Sequence, residues 1–401
     1  NVASCTSTVV IQDTIGYCLA DDLHIAGAVM TENINYLEDI DIHLEELLLT
    51  NLTDTEGSFE FNNLLENDTF TLRPFHDGPI DEGVTTLDVV RVKQHILQIQ
   101  LLNSPYKLIA ADVNNSGTIT TIDIVIMRKV ILGLDAAFPN NESWRFVPVN
   151  FEFDNPENPF QEDIPEYIIH SPLEASNSNT DFFAIKVGDV NNSVDNLIEK
   201  QVEERNYEAT YPLYFSNQDL LAGQSYTLTI QTKLSQLLGL QGRLNFDTEA
   251  IEIEGFKKPY GFDQSILNLD ALREGVLTFA FDNIGNNEAS DFFMIELSVR
   301  AKRSCKWSEL IWLDSSFVNE AYLMDGSVAE LSTNFIDLKL RPKLELGPNP
   351  FKDSFTIWLS ANYKSRIGIL RMYSPSGLML SEQQLEFNSG DSSINVQAEN
   401  I

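Results

Sequence analysis

Residues 112–133, DVNNSGTITTIDIVIMRKVILG, carry the most specific pattern in the chain. Oxygen-bearing side chains stand at positions 1, 3, 5, 9 and 12 of the first twelve residues, and Gly117 stands at position 6. A hard cation such as Ca2+ takes several oxygen ligands, and a loop of this length closes around it only with glycine at the sharp central turn. This stretch, loop two (112–123), is therefore predicted to bind Ca2+ through Asp112, Asn114, Ser116, the Thr118 carbonyl, Thr120 by way of water, and Asp123.

A helix is predicted directly after loop two. Residues 122–132 have the apolar spacing of a helix, Thr120 is the expected cap at its start, and Gly133 is the expected stop. The same pattern occurs 35 residues earlier, where VTTLD at 84–88 aligns with ITTID at 119–123. The chain is therefore expected to contain a duplicated unit of loop and helix.

The earlier loop, loop one (77–88), is less regular. Its weaker candidate ligands, at positions 1, 5 and 12, are Asp77, Asp81 and Asp88. Pro79 occupies position 3, and Glu82 replaces the central glycine. Because a non-glycine residue is uncommon at a left-handed turn, loop one is expected to be remodelled or empty.

The segment DVNNS at 189–193 repeats the opening of loop two without its later glycine and carboxylate. Two interpretations remain open for it. Asp189 and Asn191 lend oxygens to an ion, or the segment forms a plain turn stabilised by its own side chains.

The duplicated unit, joined by SPYKLIAA at 104–111, resembles the dockerin modules of secreted bacterial proteins. That resemblance implies calcium as the cofactor and a protein partner. Together with SWRFVP at 143–148 and IKVGDVN at 185–191, the block is similar to the dockerin-type region of large exported proteins from Bacteroidetes-type bacteria. We assign residues 76–206 to a dockerin-like module with an extension.

Most of the remaining chain alternates apolar and polar residues as strands do. IAGAVMTE at 25–32 and TEGSFEFNNLLENDTFTLRP at 55–74 resemble transthyretin-like or Cna-B-like repeats, so a β-sandwich is predicted at 21–75 after the end of a preceding β module at 1–20. LQGRLNFDTEAIEIEG at 240–255 resembles cohesin-like domains, which implies a sandwich with one large core at 207–340. Trp307 and Trp312 are expected in that core rather than on a sugar-binding platform.

The tail begins with LGPNPF at 346–351, followed by strand patterns. This resembles the C-terminal sorting domain of type IX secretion cargo, and residues 341–401 are expected to form an incomplete copy. The predicted fold class is therefore mainly β and multidomain, with serial β-sandwich modules and one small α-helical dockerin-like module with EF-hand-type loops.

Length and charge restrict the possible functions. A chain of 401 residues suits several modules rather than one core. With 26 Lys and Arg against 60 Asp and Glu, its net charge of −34 opposes binding to nucleic acid and to anionic membranes. No apolar run is long enough to predict membrane insertion. Cys5 and Cys18 are expected to form a disulfide, with two free buried thiols as the alternative, and Cys305 has no evident mate.

No GxSxG, HExxH, GxxxxGK or paired cysteine motif is present, and no two histidines have metal-ligand spacing. A carboxylate pair for glycoside cleavage stays open, because its separation in space, not in sequence, defines it. We therefore expect no enzyme activity. The favoured function is that of a secreted or outer-cell-surface structural or adhesive protein, exported by type IX secretion, whose partners are other modules of the same chain or other surface proteins. The alternative is the non-catalytic scaffold or binding arm of an extracellular polysaccharide-degrading system, with a cohesin-type partner or a polysaccharide as ligand.

The residues just after each loop, Thr86-Leu87 and Thr121-Ile122, each include one apolar side chain. Such a side chain is buried either by a partner or by a neighbouring module of the same chain. We expect the aromatic-rich extension at 134–194, with Trp144, Phe146, Phe151 and Phe182, to fold back over the two helices and make a rigid joint.

Overall fold

The computed structural model describes residues 23–195, 207, 209–257, 264–284 and 292–337, together with the five tail strands given below. The expected strands at 1–20, the Cys5–Cys18 pair, most of the linker after residue 195 and the PNPF motif lie outside these residues. In the described part of the chain, no helix has the length and apolarity needed to cross a membrane.

Eight strands form the first sandwich, and they come from two separate parts of the chain. The strands are β1 (Leu23–Met30), β2 (Asp41–Leu44), β3 (Leu49–Leu52), β4 (Ser58–Leu64), β5 (Phe70–Phe75), β6 (Trp144–Pro148), β7 (Ile168–His170) and β8 (Phe182–Lys186). One sheet has the order β4-β1-β8-β6 and the other the order β3-β2-β5-β7. The strand alternation predicted within 21–75 is present in β1, β2, β4 and β5.

The first sandwich is therefore not complete within 21–75, where the sequence prediction placed it. Strand β8 pairs parallel to β1, and β7 pairs antiparallel to β5. Trp144, Phe146 and Phe182 are buried in the core of this sandwich, not against the helices as expected. The physical reason is the two-residue period of a strand, which sends alternate side chains to opposite faces of the sheet.

The opposite face of β6 and β8 covers the helices. These are α1 (Thr86–Ile96), α2 (Pro105–Ala111) and α3 (Thr121–Ile131). Val147, Ile185 and Val187 share one buried cluster with apolar residues of α1 and α3, and Phe138 and Phe151 pack in the same cluster. Part of the extension thus folds back on the helices as predicted, while α2 was not predicted as a helix.

The second sandwich contains twelve strands among the residues that are described between 210 and 337. They are β9 (Thr210–Asn217), β10 (Asp219–Leu220), β11 (Ser225–Lys233), β12 (Leu237–Phe246), β13 (Ile251–Lys257), β14 (Leu267–Asn268), β15 (Val276–Asp282), β16 (Phe292–Ala301), β17 (Cys305–Lys306), β18 (Ile311–Leu313), β19 (Glu320–Leu323) and β20 (Val328–Asp337). Ten of them follow the order β13-β16-β11-β9-β20-β19-β12-β15-β14, with β18 beside β12. Buried residues from both ends of this order belong to one core, so the sheet curves around it.

Two side chains of the second sandwich test the sequence interpretation directly. Trp307 is fully buried in the core, as expected. Trp312 is 48% exposed, and its predicted burial is wrong. Ile311 faces the core, so the next residue along the strand must face outward. Cys305 is buried and forms no disulfide among the described residues.

The tail has five described strands in two sheets. The strands are β21 (Lys343–Gly347), β22 (Ser354–Ser360), β23 (Arg366–Tyr373), β24 (Met379–Phe387) and β25 (Ser392–Gln397). Strands β21, β22 and β25 form one sheet, and β23 pairs with β24. The strand patterns predicted after residue 351 correspond to β22 and β23.

Candidate functional site

The two long helices begin in the same way. Thr85 caps α1 and Thr120 caps α3, and each forms a capping box with the aspartate three residues later. Asp88 Oδ2 accepts the Thr85 N–H at 2.8 Å, and Asp123 Oδ2 accepts the Thr120 N–H at 2.8 Å. The last residue of each loop is therefore also part of the first turn of each helix.

Loop two is closed by hydrogen bonds onto its first residue. Asp112 Oδ1 accepts the Ser116 N–H at 2.9 Å, and Asp112 Oδ2 accepts the Gly117 N–H at 2.7 Å. Gly117 has a φ of +78° in otherwise open space, so the backbone conformation, not crowding, calls for glycine here. The Asn114 amide oxygen also accepts the Ser116 N–H, and the Ser116 hydroxyl donates to the Thr118 carbonyl.

The carboxylates at the two ends of loop two are both buried and close to each other. Asp112 and Asp123 have no exposed surface. Burial, and in smaller measure the charge of Asp112, raise the pKa of Asp123, although hydrogen bonds from Thr120 oppose the rise. Asp123 Oδ1 is buried without a hydrogen-bond partner, even though the Asn114 N–H is near enough to lower the pKa of the carboxyl. A buried oxygen in that state favours a cation beside it.

The residues of loop two fit calcium on this evidence. Among the described residues, no three His, Cys, Asp or Glu side chains converge on one point. Loop two accordingly offers two carboxylates, and its other candidate ligands are neutral oxygens of an amide, two hydroxyls and a carbonyl. Thr120 uses its hydroxyl to cap α3, accepting the Ile122 N–H at 3.2 Å, so its role through water remains a prediction.

Loop one is arranged differently. Asp77 and Asp81 lie at the surface, whereas Asp88 and Asp189 are buried close to each other. Asp88 Oδ1 accepts the N–H groups of Val190 and Asn191, at 2.9 and 3.1 Å. Burial, followed by the charge of Asp189, raises the pKa of Asp88 well above its usual range. The five weaker candidate ligands thus do not gather around one point with their oxygens free.

The first turn of α1 packs against the second sandwich. The Thr86 N–H donates to Gln241 Oε1 at 2.6 Å, and Gln241 Nε2 in turn donates to the Val318 carbonyl. Thr86 and Gln241 are both buried. Next to them, a side chain at Gly239 would come within 2.8 Å of the Thr86 methyl group and 3.2 Å of Val90. Helix α1 therefore packs so closely on strand β12 that only glycine fits at position 239.

A charged group lies beside this apolar contact. Asp282, at the end of β15, forms ion pairs with Lys93 of α1 and with Arg128 of α3, the latter at 2.7 Å. The Asp282 side chain is 4% exposed, against 29% for Lys93 and 15% for Arg128. Asn268 of β14 also donates to the Leu132 carbonyl at the end of α3, at 2.8 Å.

Sequence reasoning did not identify Gln241, Gly239 or Asp282. One signal was present, because Lys93 and Arg128 are 35 residues apart and so occupy the same position in the two repeats. A repeated basic residue beside an apolar helix face indicates a common acidic partner. Nothing in the sequence indicated which of the 60 acidic residues it was.

Comparison with protein families places one match in this region. The dockerin type I domain family matches residues 77–132, which include both loops and all three helices. No curated protein matches the chain.

Several solved structures show a distant similarity to the chain. A type I cohesin–dockerin complex from Clostridium thermocellum is 14% identical, with a TM-score of 0.24, and the match covers 33% of this chain and 94% of that one. A type I cohesin from Pseudobacteroides cellulosolvens is 12% identical, with a TM-score of 0.23 and coverage of 32% and 88%. A type II cohesin dyad from Acetivibrio cellulolyticus is 10% identical, with a TM-score of 0.23 and coverage of 43% and 66%.

Proposed function

We propose that this chain is a non-catalytic structural or adhesive protein of the cell surface, whose dockerin-like unit is held by the second sandwich of the same chain. The match of residues 77–132 to the dockerin type I domain supports the kind of unit. The contact itself carries the proposal. Asp282 joins both repeat helices, and Gln241 receives the first N–H of α1.

The contact covers the first turn of α1 but not that of α3, where Ile122 is 59% exposed. On α1, Thr86 and Val90 are buried against the second sandwich. The sequence prediction assigned this covering role to the extension alone. For α1, the extension supplies part of the cover and the second sandwich supplies the rest, which is the rigid joint that we propose; the start of α3 stays exposed.

In this proposal, calcium belongs to loop two. Asp112, Asn114, Ser116, the Thr118 carbonyl and Asp123 would hold it, with Thr120 acting through water. When bound, Ca2+ supplies positive charge between two buried carboxylates. The loop residues themselves position the start of α3, because Asp123 is at once a ligand and the third residue of the capping box.

Hydrogen exchange on the full chain tests the joint. In a Gly239→Leu variant, the new Cβ would lie 2.8 Å from the Thr86 methyl group. Because this is too close, α1 must move away, and we expect faster exchange of its amides. The matched control is Gly255→Leu in β13 of the same sandwich, where the nearest atom to a new Cβ is 3.9 Å away. Unchanged exchange in β11 and β16 shows that the sandwich remains folded. Equal α1 exchange in the two variants would refute the joint.

Export through type IX secretion and a place on the outer surface are also part of the proposal. They rest on the resemblance of residues 341–401 to a sorting domain. Deletion of this tail is expected to abolish surface delivery and leave calcium binding intact, measured by cell fractionation and calorimetry. Normal delivery of the shortened chain would exclude this role for the tail.

A second candidate function is recognition of an outside partner, as the scaffold or binding arm of a polysaccharide-degrading system. It is favoured by α3, whose Ile122 and Val125 are 59% and 48% exposed. They correspond to Leu87 and Val90 in the first repeat. If this function holds, a separate cohesin-type protein or a polysaccharide added to the full chain should protect the first turns of α3 from exchange. Unchanged exchange would leave the structural role.

A further inference from the structure

The two aspartates that end the loops differ in one oxygen. Asp88 and Asp123 are fully buried, occupy the same repeat position and cap their helices through Oδ2. Asp123 Oδ1 has no hydrogen-bond partner. Asp88 Oδ1 has two, the N–H groups of Val190 and Asn191. The oxygen that has no partner in loop two is thus satisfied by peptide groups in loop one.

A second ligand position of loop one is satisfied in the same way. Gly83 stands at position 7, which corresponds to Thr118 in loop two and would offer its carbonyl to a metal. The Ser193 hydroxyl donates to the Gly83 carbonyl at 2.7 Å. Gly83 has a φ of +73°, and a side chain there would lie 2.9 Å from Asp189 Oδ2. The segment 189–194 therefore fits closely against loop one.

This segment has a fixed shape of its own. Asp189 accepts the N–H groups of Asn191 and Ser193 on Oδ1 and that of Val194 on Oδ2, at 3.0 to 3.1 and 2.8 Å. On the far side, the Asn192 amide donates to Glu32 Oε1 at 2.8 Å, which ties the segment to the first sandwich. Residues 189–193 thus form a turn stabilised by their own side chains, and this turn also hydrogen-bonds to loop one.

Positive charge comes from Lys186, which is 3% exposed. Its ammonium group donates to the Ile80 carbonyl of loop one at 2.9 Å and lies 3.3 to 3.4 Å from two further carbonyls, of Val187 and Ser143. Burial lowers the pKa of Lys186 to about 8, against the opposing influence of four carboxylates. The four carboxylates are those of Asp189, Glu82, Asp81 and Asp88.

We propose that residues 186–194 replace the cation of loop one. The N–H groups of Val190 and Asn191 and the hydroxyl of Ser193 take the positions of metal bonds, and Lys186 supplies the charge. Loop one does not fit calcium, because its position 12 and position 7 oxygens are already engaged. The chain would then bind one calcium ion, and α1 would be held in place without any.

The replacement of the cation in loop one bears on the proposed joint, since α1 is the helix whose first N–H donates to Gln241. A joint built on a metal-free loop should persist when calcium is withdrawn. Loop two and the start of α3, by contrast, should loosen. This consequence rests on the proposed function, whereas the replacement of the cation in loop one does not.

Two measurements on the full chain test the replacement. The first is calcium stoichiometry by native mass spectrometry. We expect one ion for the wild type, one for Asp88→Asn, and none for the matched Asp123→Asn. Two ions in the wild type, or loss of the ion in Asp88→Asn, would overturn the proposal.

The second measurement is hydrogen exchange with and without a chelator. The α1 amides should be unaffected by chelation, and Lys186→Met should accelerate them by about tenfold or more, because it leaves buried carboxylates without their cation. Lys129→Met, at a 48% exposed lysine of α3, is the control. Wild-type exchange in Lys186→Met, or α1 exchange that follows calcium, would refute the inference. If the wild type binds no calcium and α1 still responds only to Lys186→Met, the calcium proposal for loop two fails and this one stands.

Discussion

Neutralising Asp282 is the most direct way to weaken the contact between the helices and the second sandwich. Its two oxygens accept from Lys93 and from Arg128, so the Asp282→Asn change removes one charge and weakens two ion pairs at once. The asparagine keeps the size of the side chain. The change therefore tests the electrostatic part of the contact without opening a cavity.

The structure sets the expected size of the effect. Removing one partner of a buried, hydrogen-bonded charge pair costs about 2 to 5 kcal/mol, much of it from the charge left unpaired. Water reaches Lys93, which is 29% exposed, while Arg128 is 15% exposed. We therefore expect the low end, about 2 to 3 kcal/mol. This corresponds to an opening equilibrium of the contact that is about 30- to 160-fold larger.

Hydrogen exchange of α1 and α3 in the full chain measures that factor if their amides exchange through opening of the contact. Glu296→Gln is the control, because its partner Lys257 is 67% exposed and such surface pairs contribute about 0.2 to 1 kcal/mol. The effect of Asp282→Asn should also persist in high salt, since buried pairs are screened little. If the two variants exchange alike, Asp282 does not hold the helices and our reasoning about the contact is wrong.

Three further predictions concern single groups. Loop two should bind Ca2+ with a dissociation constant of about 10⁻⁴ to 10⁻³ M, and calcium at about ten times that value should add about 1.4 kcal/mol to the free energy of unfolding. Binding heat that is unchanged in Asp123→Ala would contradict this site. Burial raises the pKa of Asp189 from 3.8 to about 6. Its contribution to the free energy of unfolding, about 3 kcal/mol at most, is therefore complete below pH 4 and is lost as pH rises through 6. Asp189→Asn should remove this pH dependence of the free energy of unfolding, measured by chemical denaturation at several pH values. An unchanged pH dependence would argue against the assignment. Cys5 and Cys18 should be joined, adding about 3 kcal/mol, so alkylation of the unfolded chain without reductant should label Cys305 only, and three labels would refute the pairing.

Local structure could be predicted because its causes are local. Thr120, Asp123 and Gly133 determine where α3 begins and ends through hydrogen bonds within a few residues. Strand alternation likewise marks elements such as 40–44, where buried and half-buried residues alternate. The residues predicted for loop two lie in one loop for the same reason.

Pairing between distant elements could not be predicted, because periodicity does not identify a partner. Strand β8 has apolar residues on both faces, and only the fold shows that Phe182 belongs to one core and Ile185 to another. Lys186, next along the chain, is a polar residue in a buried position whose role depends on Ile80, more than one hundred residues away. The contact of Asp282 with two helices is of the same long-range kind.

The covalent link between the modules bears on how strong their contact must be. Fourteen residues, 196–209, separate Asp195 from strand β9, and a short connection of this kind gives an effective concentration in the millimolar range. A contact with a dissociation constant of about 10⁻⁴ M between separate pieces would then be about 90% closed within one chain. A modest affinity at the contact around Gly239, Gln241 and Asp282 is therefore sufficient for a joint. An outside partner must exceed that effective concentration to displace α1, whereas the exposed start of α3 has no internal competitor among the described residues.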